Sequence, residues 1–456
     1  MTAAAVTART DGRAIFLTGS TMRHVAVMTA TASIGLVAVF AIDLLSLYWV
    51  STLGDQSYKA AVGYASQLLF LAMAINIGLT IAISAVCSRA LGRGDPDAAR
   101  RLASSGLWIS ALVSALVALA LYAAKDSMLA NGLHAQGRAY EVASRYLAIT
   151  IPANVPMGLG MALSGVLRAA GDARRAMYVT LIGGIATAIL DPIFIFGLGL
   201  GVYGAAWVTV LSRLTFVIVG AHGAMVAHKL LKWVNFREIV ASAPTIMAIG
   251  GPAILANLAT PVAALFVTRV WSDFGEPAVA GGAIVDRVTP VAYAAIFALT
   301  GAVGPIIGQN LGAKSFDRVR RAIIDSLILS IGYSLIVWAL LAALAPLIVA
   351  AFGASGASAD FLLLSLRYGT AVWIFLTCIF VGNAAYNNFG YPLLATAFNW
   401  GRATLGTMPF AALGAQWGGI PGAIAGLVTG TAIFGVASVF VALRIADNLA
   451  KTGKSG

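Results

Sequence analysis

Apolar residues run through this chain in long blocks, broken by short polar intervals. A helix needs ~20 apolar residues to cross a hydrocarbon core of ~30 Å. Runs of that length predict twelve helices, over about 25–50, 60–88, 102–124, 140–167, 177–198, 203–227, 239–270, 277–308, 323–352, 362–388, 391–416 and 420–446. The intervals between them are too short to hold an inserted soluble domain. Pro252, Pro261, Pro290 and Pro305 fall inside the seventh and eighth runs, where each removes a backbone donor and favours a bend. The expected class is an all-α polytopic membrane protein.

Composition excludes the alternatives. Of 456 residues 60% are hydrophobic and only 10% charged, with a mean hydropathy of +0.91. That charge cannot coat a soluble protein of this size, where ~25% is usual. A net charge of +12 would raise nucleic acid as a partner in a soluble chain. Here the charges are segregated: the N-terminus, the loops after even-numbered helices and the C-terminus carry most of the 29 Lys and Arg, among them Arg89, Arg100, Arg175, Lys232 and Arg318. The opposite loops offer only Lys59, Lys125, Arg138 and Arg269. By the positive-inside rule both termini are expected in the cytoplasm of a cell membrane, the inner membrane of a bacterium, and nucleic acid is not expected as a partner. The polar first 22 residues lack a hydrophobic core with a cleavage site, so the first helix is expected to act as an uncleaved insertion signal. Cys87 and Cys378 lie in apolar segments without metal-ligand neighbours and are read as packing residues.

The chain repeats itself. Ser88-Arg89-Ala90-Leu91-Gly92, with Asp97 and Arg100-Arg101 after it, is echoed 220 residues later by Gly308-Gln309-Asn310-Leu311-Gly312, Asp317 and Arg320-Arg321. GLGVYGAAW at 199–207 is echoed by QWGGIPGAI at 416–424. Six helices separate the copies, so they share an orientation, as in parallel repeats related by an axis along the membrane normal. The expected organisation is an N-terminal tail (1–24), a six-helix lobe (25–228), a cytoplasmic linker (229–238), a second six-helix lobe (239–447) and a C-terminal tail (448–456).

Against this apolar background two acids stand out, Asp43 near the middle of the first helix and Asp191 near the middle of the fifth. An intramembrane acid costs at least ~2.5 kcal/mol and is a functional hypothesis by default. Pro192 directly follows Asp191 and can release a backbone carbonyl in the preceding turn. The repeat places the counterpart of Asp191 near Met408-Pro409 and that of Asp43 near Ala264, so the second lobe has no acid at either place. Two carboxylates in low dielectric can load and release a proton. Together with the hydroxyls of Thr187, Ser46 and Thr209 they can equally form a hard-cation site for sodium, at Asp43, Asp191 and Thr209 above all. The structural alternatives are pairing of each Asp with a buried donor and bonding of each hydroxyl to its own helix carbonyl. Asp286 and Arg287 are expected to be structural, Arg213, Arg367 and Arg402 to snorkel towards an interface or cavity, and Asp325 to lie at the interface.

The stretches SRALGRGDPDAARR (88–101), GVLRAAGDARRAM (165–177), LDPIFIFGLGLGVYGAA (190–206) and GQNLGAKSFDRVRRA (308–322) resemble, in order and spacing, the multidrug and toxic-compound extrusion (MATE) family, over almost the whole chain. The resemblance implies export of cationic, amphipathic compounds against protons or sodium, with no enzymatic activity and no cofactor beyond the coupling ion. It matches Asp191 to the family's fifth-helix aspartate and Thr209 to a threonine of its cation site. Two positions depart from the pattern: Thr187 stands where the family has Asn, and Ser46 stands where it has the first-helix aspartate, with Asp43 one turn earlier. Both changes disturb a fitted sodium shell more than a proton carrier, which favours the proton.

A polyspecific pocket needs apolar and aromatic area with few fixed polar groups. Tyr48, Asn154, Asn257, Thr260, Tyr293, Trp373 and Asn383 are the residues expected to line it, although aromatic side chains near helix ends more often form interfacial belts. The expected partners are a small organic molecule and the lipid bilayer, with the protein a monomer. A flippase for a lipid-linked saccharide precursor of the same superfamily is the alternative, disfavoured by two acids and few central arginines.

Overall fold

The computed structural model describes residues 14–453, all of whose regular structure is helical. Seven helices follow the predicted runs directly: α1 Thr21–Thr52, α2 Gln56–Gly92, α3 Pro96–Gly132, α4 Gly137–Ala169, α5 Ala173–Gly197, α6 Val202–Ala227 and α7 Phe236–Ser272. The eighth, α8, comes in two pieces, Glu276–Ala292 and Ala294–Gly312, parted at Tyr293 three residues after Pro290. α9 is Phe316–Ala351 and α10 Gly356–Phe389. The final helical stretch, Pro392–Thr452, contains two spans, because Gly418 and Gly419 leave helical geometry. They separate α11 (392–417) from α12 (420–452). Twelve helices result among the described residues, and Pro252 and Pro261 are accommodated inside a continuous α7.

Helix starts follow local chemistry. Asp95 accepts the Ala98 N–H at 2.8 Å with Pro96 in the first turn, and Asp172 accepts the Arg175 N–H at 3.0 Å. Each supplies an acceptor that the opening turn of a helix lacks.

The internal repeat is visible in the backbone itself. Gly201, at the start of α6, has φ 57° and ψ −138°, and Gly419, at the start of α12, has φ 58° and ψ −141°. Left-handed residues recur in the same way at Gly54 and Gly275, Gly94 and Lys314, Gly137 and Gly356, and Gly171 and Gly390. Even the short 3-10 break at Ile151–Ala153 in α4 has its counterpart at Gly369–Ala371 in α10.

By contacts the chain forms two units, one holding Ile34–Ile254 and the other Phe16–Ser33 with Leu255–Gly456. The division therefore falls inside α1 and α7, not in the polar stretch 229–238. Loop polarity marks where the chain turns, whereas a helix of 32 or 37 residues meets different neighbours along its length. Part of the expected N-terminal tail is likewise packed rather than loose. Phe16 is buried in the second unit, where its carbonyl accepts from Arg318 Nη2 at 2.7 Å and its N–H donates to Gln309 Oε1 at 3.0 Å. Asp325, expected at the interface, is buried there too and accepts from the Thr21 hydroxyl and from Arg321 Nε.

In the first unit a closed polar cycle joins α2, α3 and α4. Asn76 Nδ2 donates to Asn154 Oδ1 at 2.8 Å, Asn154 Nδ2 to the Ser114 carbonyl at 2.9 Å, and the Ser114 hydroxyl to Asn76 Oδ1 at 2.9 Å. In the second, α11 and α12 touch backbone to backbone. A Cβ at Gly430 would lie 1.7 Å from the Gly406 carbonyl oxygen, so nothing larger than glycine fits. Small residues of this kind let helices pack closely where lipid removes the hydrophobic drive to associate.

Candidate functional site

The acid predicted in α5 sits where that helix changes character. Pro192 cannot supply the N–H that would continue the ladder, and the chain passes into a π-turn over Ile193–Gly197, closed by Leu198 N–H to the Ile193 carbonyl at 2.8 Å. Asp191, just before the change, keeps 1% of its surface accessible. Neither of its carboxylate oxygens makes a hydrogen bond to the described residues. Ser46 of α1 stands beside the carboxylate without closing a bond of ordinary geometry.

Asp43, one turn before Ser46, is accessible. Its electrostatic neighbours include Arg213 of α6, and Asp191 is influenced by Asp43 in turn, so the side chain faces other helices of its own unit. Thr187 and Thr209 both donate their hydroxyl hydrogens to their own helices, to the Gly183 carbonyl at 3.1 Å and the Ala205 carbonyl at 3.0 Å. Their oxygen lone pairs stay available as acceptors. Asp43, Ser46 and Asp191 thus act on one another across α1 and α5, and Thr187 lies one turn before Asp191 on α5.

Two further side chains belong to the cluster and were not assigned to it from the sequence. Tyr146 of α4 is buried with its hydroxyl turned towards Thr209. Arg213 lies over the Phe216 ring at 4.9 Å and acts electrostatically on Asp43 and Tyr146. The available signal was the spacing of Thr209 and Arg213, four residues apart and so on one helix face. Its consequence is an asymmetry: among the described residues Asp43 has a countercharge and Asp191 has none.

The residues expected to line a cargo pocket divide. Tyr48 is 56% accessible and packs edge-on against Trp49. Thr260 is exposed, and Asn257, one turn before it, is half-buried. Trp373 is half-buried and Asn383 accepts from Asn399 Nδ2 at 3.1 Å. Two of the seven have their polar groups taken up by protein partners. Asn154 is buried with both ends of its amide committed to the cycle with Asn76 and Ser114. Tyr293 has no accessible surface, stacks on Trp373 at 4.8 Å and donates its hydroxyl to the Thr370 carbonyl at 3.1 Å. Each polar group needed a partner in a dry interior and found a protein one, so in this conformation neither offers itself to cargo.

Comparison with known proteins agrees with this architecture. The sequence model of the MatE family matches residues 32–193 and again 252–413, the second match beginning 220 residues after the first, as the internal repeat does. The FAD transporter of Shewanella oneidensis is 24% identical over 92% of this chain and 94% of its own length. The probable multidrug resistance protein NorM of Thermotoga maritima is 26% identical over 61% of each chain. Among solved structures, a mutant of the Vibrio cholerae MATE transporter VcmN superposes with a TM-score of 0.88 at 25% identity, covering 94% of this chain and 97% of that one. With its family model matched twice along the chain, on twelve helices built as a repeat, this protein belongs to the MatE family of multidrug and toxic-compound extrusion transporters and is a multi-pass membrane transporter rather than an enzyme.

Proposed function

We propose that this protein is a secondary antiporter that exports small amphipathic organic compounds in exchange for protons, by rocker-switch alternating access of its two lobes. The observation that carries the reading is Asp191: a carboxyl group with 1% accessible surface and no hydrogen bond from the described residues to either oxygen. A bare carboxylate in that setting is costly, so the group is neutralised whenever the site is closed, by a proton or by a bound cation. Opening to water lets it lose that partner. The site therefore couples access to cation release, with Asp43, Ser46, Thr187, Thr209, Tyr146 and Arg213 around it.

Between the two cations the residues favour the proton. Asp43, Asp191 and the hydroxyl oxygens are chemically suitable ligands for sodium. Arg213, however, is already a fixed positive charge in the cluster. A second hard cation beside it meets repulsion and still needs a fitted shell, whereas a proton needs only the Asp191 oxygen. On this reading both termini face the cytoplasm and the protein works as a monomer. The S. oneidensis relative supports a second reading of the cargo, as a flavin nucleotide.

The test is cargo efflux from proteoliposomes under an imposed pH gradient and, separately, an imposed sodium gradient, for wild type and Asp191→Asn. Efflux driven by the pH gradient alone and abolished in Asp191→Asn is expected. Drive by sodium at equal pH would replace the proton with sodium, and undiminished gradient-driven efflux in the variant would refute the role of Asp191.

A further inference from the structure

Arg402 lies in the middle of α11 and opens another π-turn, Arg402–Thr407. Such turns inside α-helices recur at functional sites. Only 8% of the residue is accessible, and its Nε is enclosed without a hydrogen-bond partner. No acid, hydroxyl or carbonyl among the described residues pairs with the guanidinium. The geometry has a cause in packing: Ala403, the next residue, meets Ala259 and Ala263 of α7, and Trp400 donates its indole N–H to the Leu255 carbonyl at 2.9 Å. These contacts seat α11 tightly and leave the arginine inside.

Asn399 precedes Arg402 by three residues, on the same helix face. Its Nδ2 donates to Asn383 Oδ1, which leaves Asn383 Nδ2 as a donor without a protein partner among the described residues. Arg402 is a five-donor cationic fork and Asn383, reached through Asn399 on the same helix face, an amide N–H donor, and no carboxylate among the described residues bonds to either. A buried charge left unpaired is strongly unfavourable, and a planar guanidinium matches carboxylate and phosphate oxygens two at a time.

The geometry points to Arg402, with Asn383, as a recognition point for an oxyanion, a phosphate or carboxylate carried by the transported molecule or by a lipid headgroup. This deepens the transport reading by naming a chemical class for the cargo: an amphipathic molecule bearing an acidic group, not only a cation. It rests on that reading for the ligand's passage, but binding itself is measured without any gradient.

The experiment compares riboflavin with riboflavin 5′-phosphate, which differ by one phosphate. The full-length protein is placed in phosphatidylcholine nanodiscs and binding is followed by flavin fluorescence. Wild type is expected to bind the phosphorylated flavin at least tenfold more tightly. Arg402→Gln should bring the two affinities within twofold of each other while leaving riboflavin itself within twofold of wild type. Arg402→Lys, which keeps the charge and loses the fork, should retain part of the preference. Adding phosphatidylglycerol distinguishes the sources: weaker phosphate binding in wild type but not in Arg402→Gln assigns the oxyanion to a headgroup, and no change assigns it to cargo. Equal affinities in wild type, a preference that survives Arg402→Gln, or equal weakening of both flavins would each overturn the proposal. Arg402→Met supplies a check on folding. Its ligand-free thermal midpoint is expected at or above that of wild type, and a fall would mean a structural partner for the arginine and defeat the inference.

Discussion

Proton stoichiometry is where the asymmetry of the two acids becomes measurable. Asp43 has Arg213 as an electrostatic neighbour, a countercharge that Asp191 lacks among the described residues, and on the proposed reading that pair keeps its net charge through the cycle. Asp191 makes no hydrogen bond to the described residues and has 1% accessible surface, so on that reading it alone changes its charge. With the proton as the coupling ion, one proton per cycle is expected on this proposal. One pH unit is worth about 1.4 kcal/mol per proton, or tenfold in concentration. With the membrane potential clamped to zero, a one-unit gradient should therefore sustain a cargo ratio of about tenfold at equilibrium, whereas two coupled carboxylates would sustain about a hundredfold. Asp191→Asn should equilibrate cargo to a ratio of one. The variant also removes a carboxyl group whose charged form costs at least ~2.5 kcal/mol in the membrane, so its thermal midpoint should not fall. The assay is radiolabelled cargo in proteoliposomes with valinomycin and equal potassium on both sides. A hundredfold ratio in wild type would show that Asp43 titrates as well and that the Arg213 argument is wrong.

Two further expectations concern stability. Asn154→Ala leaves Asn76 Nδ2 and the Ser114 carbonyl without their partners and should cost about 1–2 kcal/mol, between the usual penalty for an orphaned buried group and the smaller average measured within membranes. Thermal unfolding should drop while cargo selectivity stays put; altered selectivity at unchanged stability would return Asn154 to the pocket. Asp172 lies in the loop before α5, where burial alone would raise its carboxyl. Hydrogen bonds from His228 and from the backbone and side chain of Arg175, together with the Arg175 charge, override burial and hold it at about 2. Because the folded value is depressed, this stabilisation is complete above the ordinary carboxylate range and is lost as pH falls from about 4 towards 2. Asp172→Asn should lower stability at pH 7 by about 2 kcal/mol and flatten that acid dependence in a pH series of melting curves. An unchanged acid limb would show that other carboxylates carry it.

Much of this protein was legible before any coordinates. Twelve apolar runs, segregated charge and a 220-residue echo determined the class, the helix count and the repeat, because a bilayer admits few ways to satisfy a backbone and each leaves a linear trace. Asp43 and Asp191 were legible for the same reason: a charge in an apolar run is conspicuous in one dimension. What the sequence could not decide was which charges meet. Arg213 and Arg402 look alike along the chain, each a single arginine in an apolar helix. Only the packing sets one near Asp43 and leaves the other enclosed and unpaired. Likewise nothing along the chain shows that Asn154 and Tyr293 bond to the Ser114 and Thr370 carbonyls on other helices. Helix formation depends on neighbours a few residues away and can be read locally; whether a polar side chain is satisfied depends on groups far along the chain, and the tertiary structure alone brings those together.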